Sequence, residues 1–171
     1  MPSKSRKTAL SYLEGFKTLS PDIFLAFLAP TAIHRFAPAS LSPPEPMSPK
    51  AFTNHLDKLQ EVLAEFPVSP KEIFDNEEKG QVTIWATSKA KFKEECKGDC
   101  LTEEEWAYEG EYIFIFTLDE SKERIVDIVE FLDSKVCNVF LFAIENSFNE
   151  NHESLLSNAA KYILFIVTES S

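Results

Sequence analysis

The residues best placed to do chemistry lie in two adjacent segments, W-A-Y-E-G-E-Y-I-F-I-F-T-L (106–118) and R-I-V-D-I-V-E-F-L-D (124–133). Each alternates with the period of two that a β-strand imposes. In the first, Tyr108, Gly110, Tyr112, Phe114, Phe116 and Leu118 share a face. In the second, Arg124, Val126, Ile128, Glu130 and Leu132 share one, with Ile125, Asp127, Val129, Phe131 and Asp133 opposite. Glu130 is thus an ionisable group at spacing two from Ile128 and Leu132, facing the tyrosines of the partner strand. A carboxyl desolvated by aromatic rings has its pKa raised, and so can give or take a proton near neutral pH. The alternative is structural, with Glu130 and Arg35 in an ion pair and the tyrosines as core aromatics. His34 and His55 are weaker candidates, because a histidine bordering an apolar stripe is commonly a boundary residue, and His152 stands in polar surroundings.

These strands need a connection and a support. D-E-S-K-E (119–123) joins them as an antiparallel pair. Residues 5 to 19 carry Leu10, Leu13 and Phe16 with Ala9, Tyr12 and Leu19 at amphipathic-helix spacing, weakened by Gly15. Ser20 and Pro21 start a short helix from Asp22 to Ala29 that Pro30 ends. A short strand, 32–37, follows, with Ile33, Arg35 and Ala37 on one face and His34 and Phe36 on the other. Its inward face is not readable from so few residues. S-L-S-P-P-E-P-M-S-P-K holds four of the ten prolines and is a stiff loop, either a lid or a spacer. Ser48 and Pro49 open a third helix, whose apolar face runs from Phe52 to Phe66. Strands over 69–74 and 81–92 and an exposed charged loop over 93–105 complete the order. Helices followed by an antiparallel meander predict an α+β fold, in which helices cover one face of a curved antiparallel sheet and a pocket lies between. The other face carries Trp85, Ile113, Ile115, Val129 and Phe131, too apolar for solvent, so a homodimer through it is expected.

Composition narrows the function classes. The chain has 171 residues, one domain's worth, and its 15 Phe against 4 Gly call for an aromatic interior. A net charge of −11 disfavours nucleic acid and anionic membrane as partners. No apolar run approaches the roughly 18 residues of a membrane span and no leader is readable, so the cytoplasm is the expected compartment. The 3 cysteines read as thiols, and Cys96 and Cys100, four apart without a second ligand pair, do not make a metal site. Four glycines at 15, 80, 98 and 110 cannot build a phosphate loop, and no G-x-S-x-G, H-E-x-x-H or Cys/His dyad occurs. No cofactor is expected.

The strings F-A-P-A-S-L, P-x-P-M, F-P-V, W-A-T-S, E-E-W-A-Y-E-G-E-Y and E-F-L-D-S resemble the fungal SnoaL-like branch of the nuclear-transport-factor-2-like superfamily, over about Thr8 to Lys135. Within it the chain is similar to the semipinacolases of brevianamide-type indole-alkaloid pathways and related tailoring isomerases and cyclases. The resemblance implies a cone-shaped α+β fold and a homodimer. It also implies cofactor-free isomerisation or cyclisation of a hydrophobic small-molecule substrate from secondary metabolism, by a set that falls on Arg35, Tyr108, Tyr112 and Glu130. A non-catalytic binding or dimerisation module of the same fold is the alternative. The expected division is a cone domain over 1–135 and an atypical tail over 136–171, where an apolar run stands in place of a charged terminal helix.

Overall fold

The computed structural model describes residues 1–41, 43–94, 97, 102–107 and 109–133. Tyr108, Cys96, Cys100 and the 136–171 tail therefore lie outside the described residues. The chain opens with α1 (Lys4–Thr18) and α2 (Pro21–Phe27), and β1 (Leu28–Ala37) runs on into a 3-10 turn (Ala39–Leu41). Next come α3 (Pro49–Val62), β2 (Leu63–Glu65), β3 (Val68–Asn76), β4 (Gln81–Lys89) and β5 (Lys91–Phe92). A short α4 (Glu103–Trp106) leads to β6 (Glu109–Leu118) and β7 (Ile125–Leu132).

Five strands form one sheet in the order β1-β7-β6-β4-β3, and β2 pairs with β5 in a small second one. The meander β3 to β7 is antiparallel as expected. β1, however, joins parallel to β7, so the sheet is mixed. The strand expected over 81–92 is broken at Ala90, where β5 leaves the large sheet and Phe92 pairs with Leu63. The strand expected from Trp106 begins only at Glu109. Residues 103–106 instead make a helical turn, with Trp106 N–H donating to Thr102 C=O at 3.0 Å, and a glutamate-rich start suits the positive end of that turn. α2 stops at Phe27 rather than Ala29, because the residue before Pro30 is disfavoured in helix. Pro30 then sits in β1, an edge strand where a missing N–H is tolerated.

The helices pack on the inner face of the large sheet. Tyr12 and Phe16 of α1, Phe24 of α2, Phe52 of α3, and Phe114 and Phe116 of β6 bury their rings together. Tyr12 meets Phe24 edge-on at 4.9 Å and Phe116 at 5.5 Å, a geometry worth about 0.5–1.5 kcal/mol per pair beyond area burial. Gly15 has a packing reason: a Cβ there would lie 3.0 Å from the Phe24 ring. Ser48 caps α3 by accepting from the Ala51 N–H at 3.3 Å, with Pro49 in the first turn. On β6 the alternation holds, with Gly110, Tyr112, Phe114, Phe116 and Leu118 buried. On β7 a register shift near Ile125 puts that residue in the core, ahead of Ile128 and Glu130.

Candidate functional site

Glu130 lies on the inner face of β7, opposite Phe114 on β6 and Phe36 on β1, and is 4% exposed. Its partner is His34, 3% exposed on β1, whose Nε2 lies 2.8 Å from Glu130 Oε2. Several local features fix that imidazole. The backbone N–H of His34 donates to Met47 C=O at 2.9 Å, and the Met47 N–H donates back at 2.8 Å, so the end of the proline-rich loop is bridged to the free edge of β1. Phe36 stacks on the ring at 4.8 Å and Phe52 lies tilted against it at 4.4 Å. Three buried side-chain atoms, His34 Nδ1, Tyr12 OH and Ser88 Oγ, have no hydrogen-bond partner among the described residues. Such atoms are uncommon, since leaving one unsatisfied costs about 1–3 kcal/mol.

The electrostatics follow from enclosure. Burial pushes the Tyr12 phenol well above its ordinary value, and the negative charge of Glu130 pushes in the same direction. Tyr12 is therefore a neutral hydroxyl, able to donate a hydrogen bond. His55, half-buried on α3 with its ring 5.9 Å from Phe36, is lowered to about 4 by loss of hydration, with positive charge at His34 and Lys58 adding to the effect. It is uncharged near neutrality. Nε2 is taken up by Glu130, and Nδ1 is the ring nitrogen without a partner among the described residues. A carboxylate that orients an imidazole and stabilises its protonated form is a general acid-base device.

The residues expected at the site are only partly brought together. Tyr112 shares the inner face, is 4% exposed and stands opposite Leu132, one row along the strand from Glu130. Its ring stacks with Phe114 at 6.1 Å and meets Phe66 edge-on at 5.9 Å. Arg35 is not brought to them. It pairs in register with Val129 on the outer face, and its Nη2 donates to Asp127 Oδ2 at 2.5 Å. The structural alternative of an Arg35–Glu130 ion pair is likewise not formed. Strand parity is the reason: with Phe36 packed inward, its neighbour Arg35 must point outward and His34 inward. Sequence reasoning ranked His34 only as a weaker candidate and took Tyr12 as part of an apolar helix stripe. The signals were the aromatic parity of His34 with Phe36, and a lone hydroxyl in the apolar stripe of α1. Among the described residues no group of three or more His, Cys, Asp or Glu side chains could hold a metal ion, and no helix is long and apolar enough to cross a membrane.

No known family profile matches the chain. A relative from Penicillium brasilianum, austinoid biosynthesis clusters protein H, is 28% identical over 142 residues, 83% of this chain and 91% of its own. Among solved structures, the BvnE pinacolase of Penicillium brevicompactum superposes with a TM-score of 0.70 at 20% identity, covering 84% of this chain and 96% of that one. A putative SnoaL-like polyketide cyclase from Shewanella denitrificans gives a TM-score of 0.64 at 11% identity, covering 85% and 99%. At these identities the superpositions establish the fold.

Proposed function

We propose that this chain, which has the SnoaL-like α+β fold, is a cofactor-free isomerase or cyclase that rearranges a hydrophobic intermediate of secondary metabolism by acid-base catalysis. The observation that carries the reading is the buried His34–Glu130 pair with its free imidazole nitrogen, set among aromatic rings. The relative in an austinoid biosynthesis cluster and the fold-mate named a pinacolase support the class. In the proposed reaction the pair gives a proton to an epoxide or hydroxyl oxygen of the substrate, whose carbon–oxygen bond breaks. The resulting carbocation is stabilised by ring faces such as Phe36 and Phe52, and the pocket's shape selects which group migrates in a 1,2-shift. Loss of a proton back to the pair closes the cycle. The rearrangement is redox-neutral and consumes no co-reactant.

Tyr12 and Tyr112 are assigned to hydrogen-bonding the substrate oxygen, and Tyr108 joins them through the resemblance. Arg35 has no place in this set, since its guanidinium lies across the sheet. The test is to incubate the purified protein, without added cofactor, with a prenylated indole epoxide or a related intermediate. A changed product ratio that Glu130→Gln and His34→Gln abolish is expected. Binding of the intermediate with no change in products under any condition would replace the catalytic reading with that of a binding module.

A further inference from the structure

We propose that the cavity between β5 and α4 is a second binding site, which takes a planar apolar anion such as an aromatic carboxylate. The inference is independent of the catalytic reading. The cavity holds about 510 Å³, within the range of small-molecule sites, and has an apolar floor of Ala64, Ala90, Phe92 and Trp106. Phe92 and Trp106 meet edge to face at 5.0 Å and make the aromatic part of this lining, a match for a ligand that is itself a ring system.

Charge sets the ligand's sign. Four lysines, Lys89, Lys91, Lys93 and Lys97, line the cavity against two glutamates, Glu94 and Glu103, in a chain whose net charge is −11. The run K-A-K-F-K supplies most of this wall: the strand breaks at Ala90 between β4 and β5, and Lys89, Lys91 and Lys93 line the cavity together with Ala90 and Phe92. Two of the lysines are occupied. Lys91 pairs with Glu65 at 2.6 Å, and Lys97 pairs with Glu94 at 2.8 Å and Glu103 at 3.2 Å. Lys89 and Lys93 have no side-chain partner among the described residues, and no ion pair forms between Lys89 and Glu109 although they stand opposite in register. Two ammonium groups without a side-chain partner among the described residues, beside an aromatic floor, match a carboxylate on a ring system. They are too few for a polyanion such as nucleic acid.

The site is also distinct from the acid-base pair. β7 and β6 stand between β1, which carries His34, and β4, so three strand spacings, roughly 14 Å, separate that strand from the one that leads into the cavity.

The experiment labels both tryptophans, Trp85 and Trp106, with 5-fluorotryptophan and titrates the full chain with 2-naphthoate by ¹⁹F NMR. A Trp85→Phe variant assigns the two resonances. Saturable movement of the Trp106 resonance, with Trp85 unmoved, is expected. The dissociation constant should rise about tenfold or more in Lys89→Gln/Lys93→Gln, and likewise when neutral 2-naphthol replaces the carboxylate. Glu130→Gln should bind 2-naphthoate as the unaltered protein does. Binding of equal strength in the double lysine variant, equal binding of 2-naphthol, or no saturable shift at Trp106 would each overturn the site. Binding lost in Glu130→Gln but kept in the lysine variant would place the probe at the acid-base pair, which overturns this proposal and leaves the catalytic one standing.

Discussion

β1 and β7 present one acid–base side-chain contact to each side of the sheet, and the two contacts live in different solvents. On the inner face, the side chains of His34 and Glu130 are 3% and 5% exposed. On the outer face, those of Arg35 and Asp127 are 49% and 26% exposed. An exposed pair gains little, about 0–1 kcal/mol, because water screens it and both side chains must be held still. A buried pair has lost its hydration, which costs several kcal/mol per ion, and is therefore a poor device for stability. Neighbouring residues of one strand, His34 and Arg35, fall on opposite faces by parity, and only His34 is enclosed with a carboxylate away from water.

The largest expected effect breaks the inner pair. Glu130→Gln keeps the shape and hydrogen-bonding capacity of the side chain but removes the carboxylate that stabilises a protonated imidazole. Turnover should fall by roughly 10²- to 10⁴-fold, with the melting temperature little changed. If the pair were only structural, the order would reverse. The variant would then melt early, after losing about 3–5 kcal/mol, while per-molecule activity held. Thermal denaturation beside turnover separates the two.

The outer face supplies the next effect. Ile113 and Phe131, opposite each other in register, are 42% and 39% exposed, and Phe74 is 58% exposed. Close by, Lys71 bonds Glu111 at 2.6 Å and lies 3.8 Å from the centre of a Trp85 ring. We propose that a second copy covers this apolar face. Ile113→Lys should then weaken the dimer by about 100-fold or more, read by light scattering across a dilution series. An unaltered protein that scatters as a monomer at about 10 μM would refute the dimer.

How much of this was legible beforehand depends on run length. β6 is a ten-residue strand with strict alternation, so the inner placement of Tyr112 and the outer placement of Ile113 followed directly from period two. α3 announced itself through Ser48 and Pro49, and the aromatic interior through phenylalanine content. β1 was harder. Its edge position, its parallel pairing with β7 and its bridge to Met47 are tertiary facts that no local pattern encodes, and they decide that His34 rather than Arg35 faces Glu130. Trp106 misled for a related reason. Its aromatic character fits a strand, but packing against Phe92 is satisfied equally well from a helical turn. Tyr108, one of the expected site residues, lies outside the described residues.

A pH effect sharpens the contrast between the faces. His55 has a folded-state pKa lowered to about 4 from an ordinary 6.5, so protonation favours the unfolded chain. Its contribution to stability is fully present above about pH 6.5. It is lost as pH falls toward 4, by at most about 3 kcal/mol, because the unfolded state takes up the proton first. Urea denaturation at pH 6.5 and 4.5, compared between the unaltered protein and His55→Leu, isolates this from the carboxylates that titrate in the same range. The acid-induced loss should be smaller in the variant. An identical loss in both would mean that His55 is hydrated.

The smallest expected effect lies on the outer pair and bears on the one site residue that the resemblance and the geometry place differently. Arg35 and Asp127 should show a coupling of under about 1 kcal/mol in a double-mutant cycle of Arg35→Ala and Asp127→Ala, and the coupling should shrink as salt is added. Turnover should stay within about twofold of the unaltered protein in both single variants, since neither side chain reaches the inner face. The resemblance implies the contrary for Arg35, because an arginine that orients a substrate oxygen cannot be removed without loss of rate. A folded Arg35→Ala protein that loses turnover while Asp127→Ala keeps it would return Arg35 to the site. That outcome would require β1 to slip by one residue against β7, which would move His34 off Glu130. The two histidine-bearing and arginine-bearing faces therefore cannot both be catalytic in one register, and these paired variants decide between them.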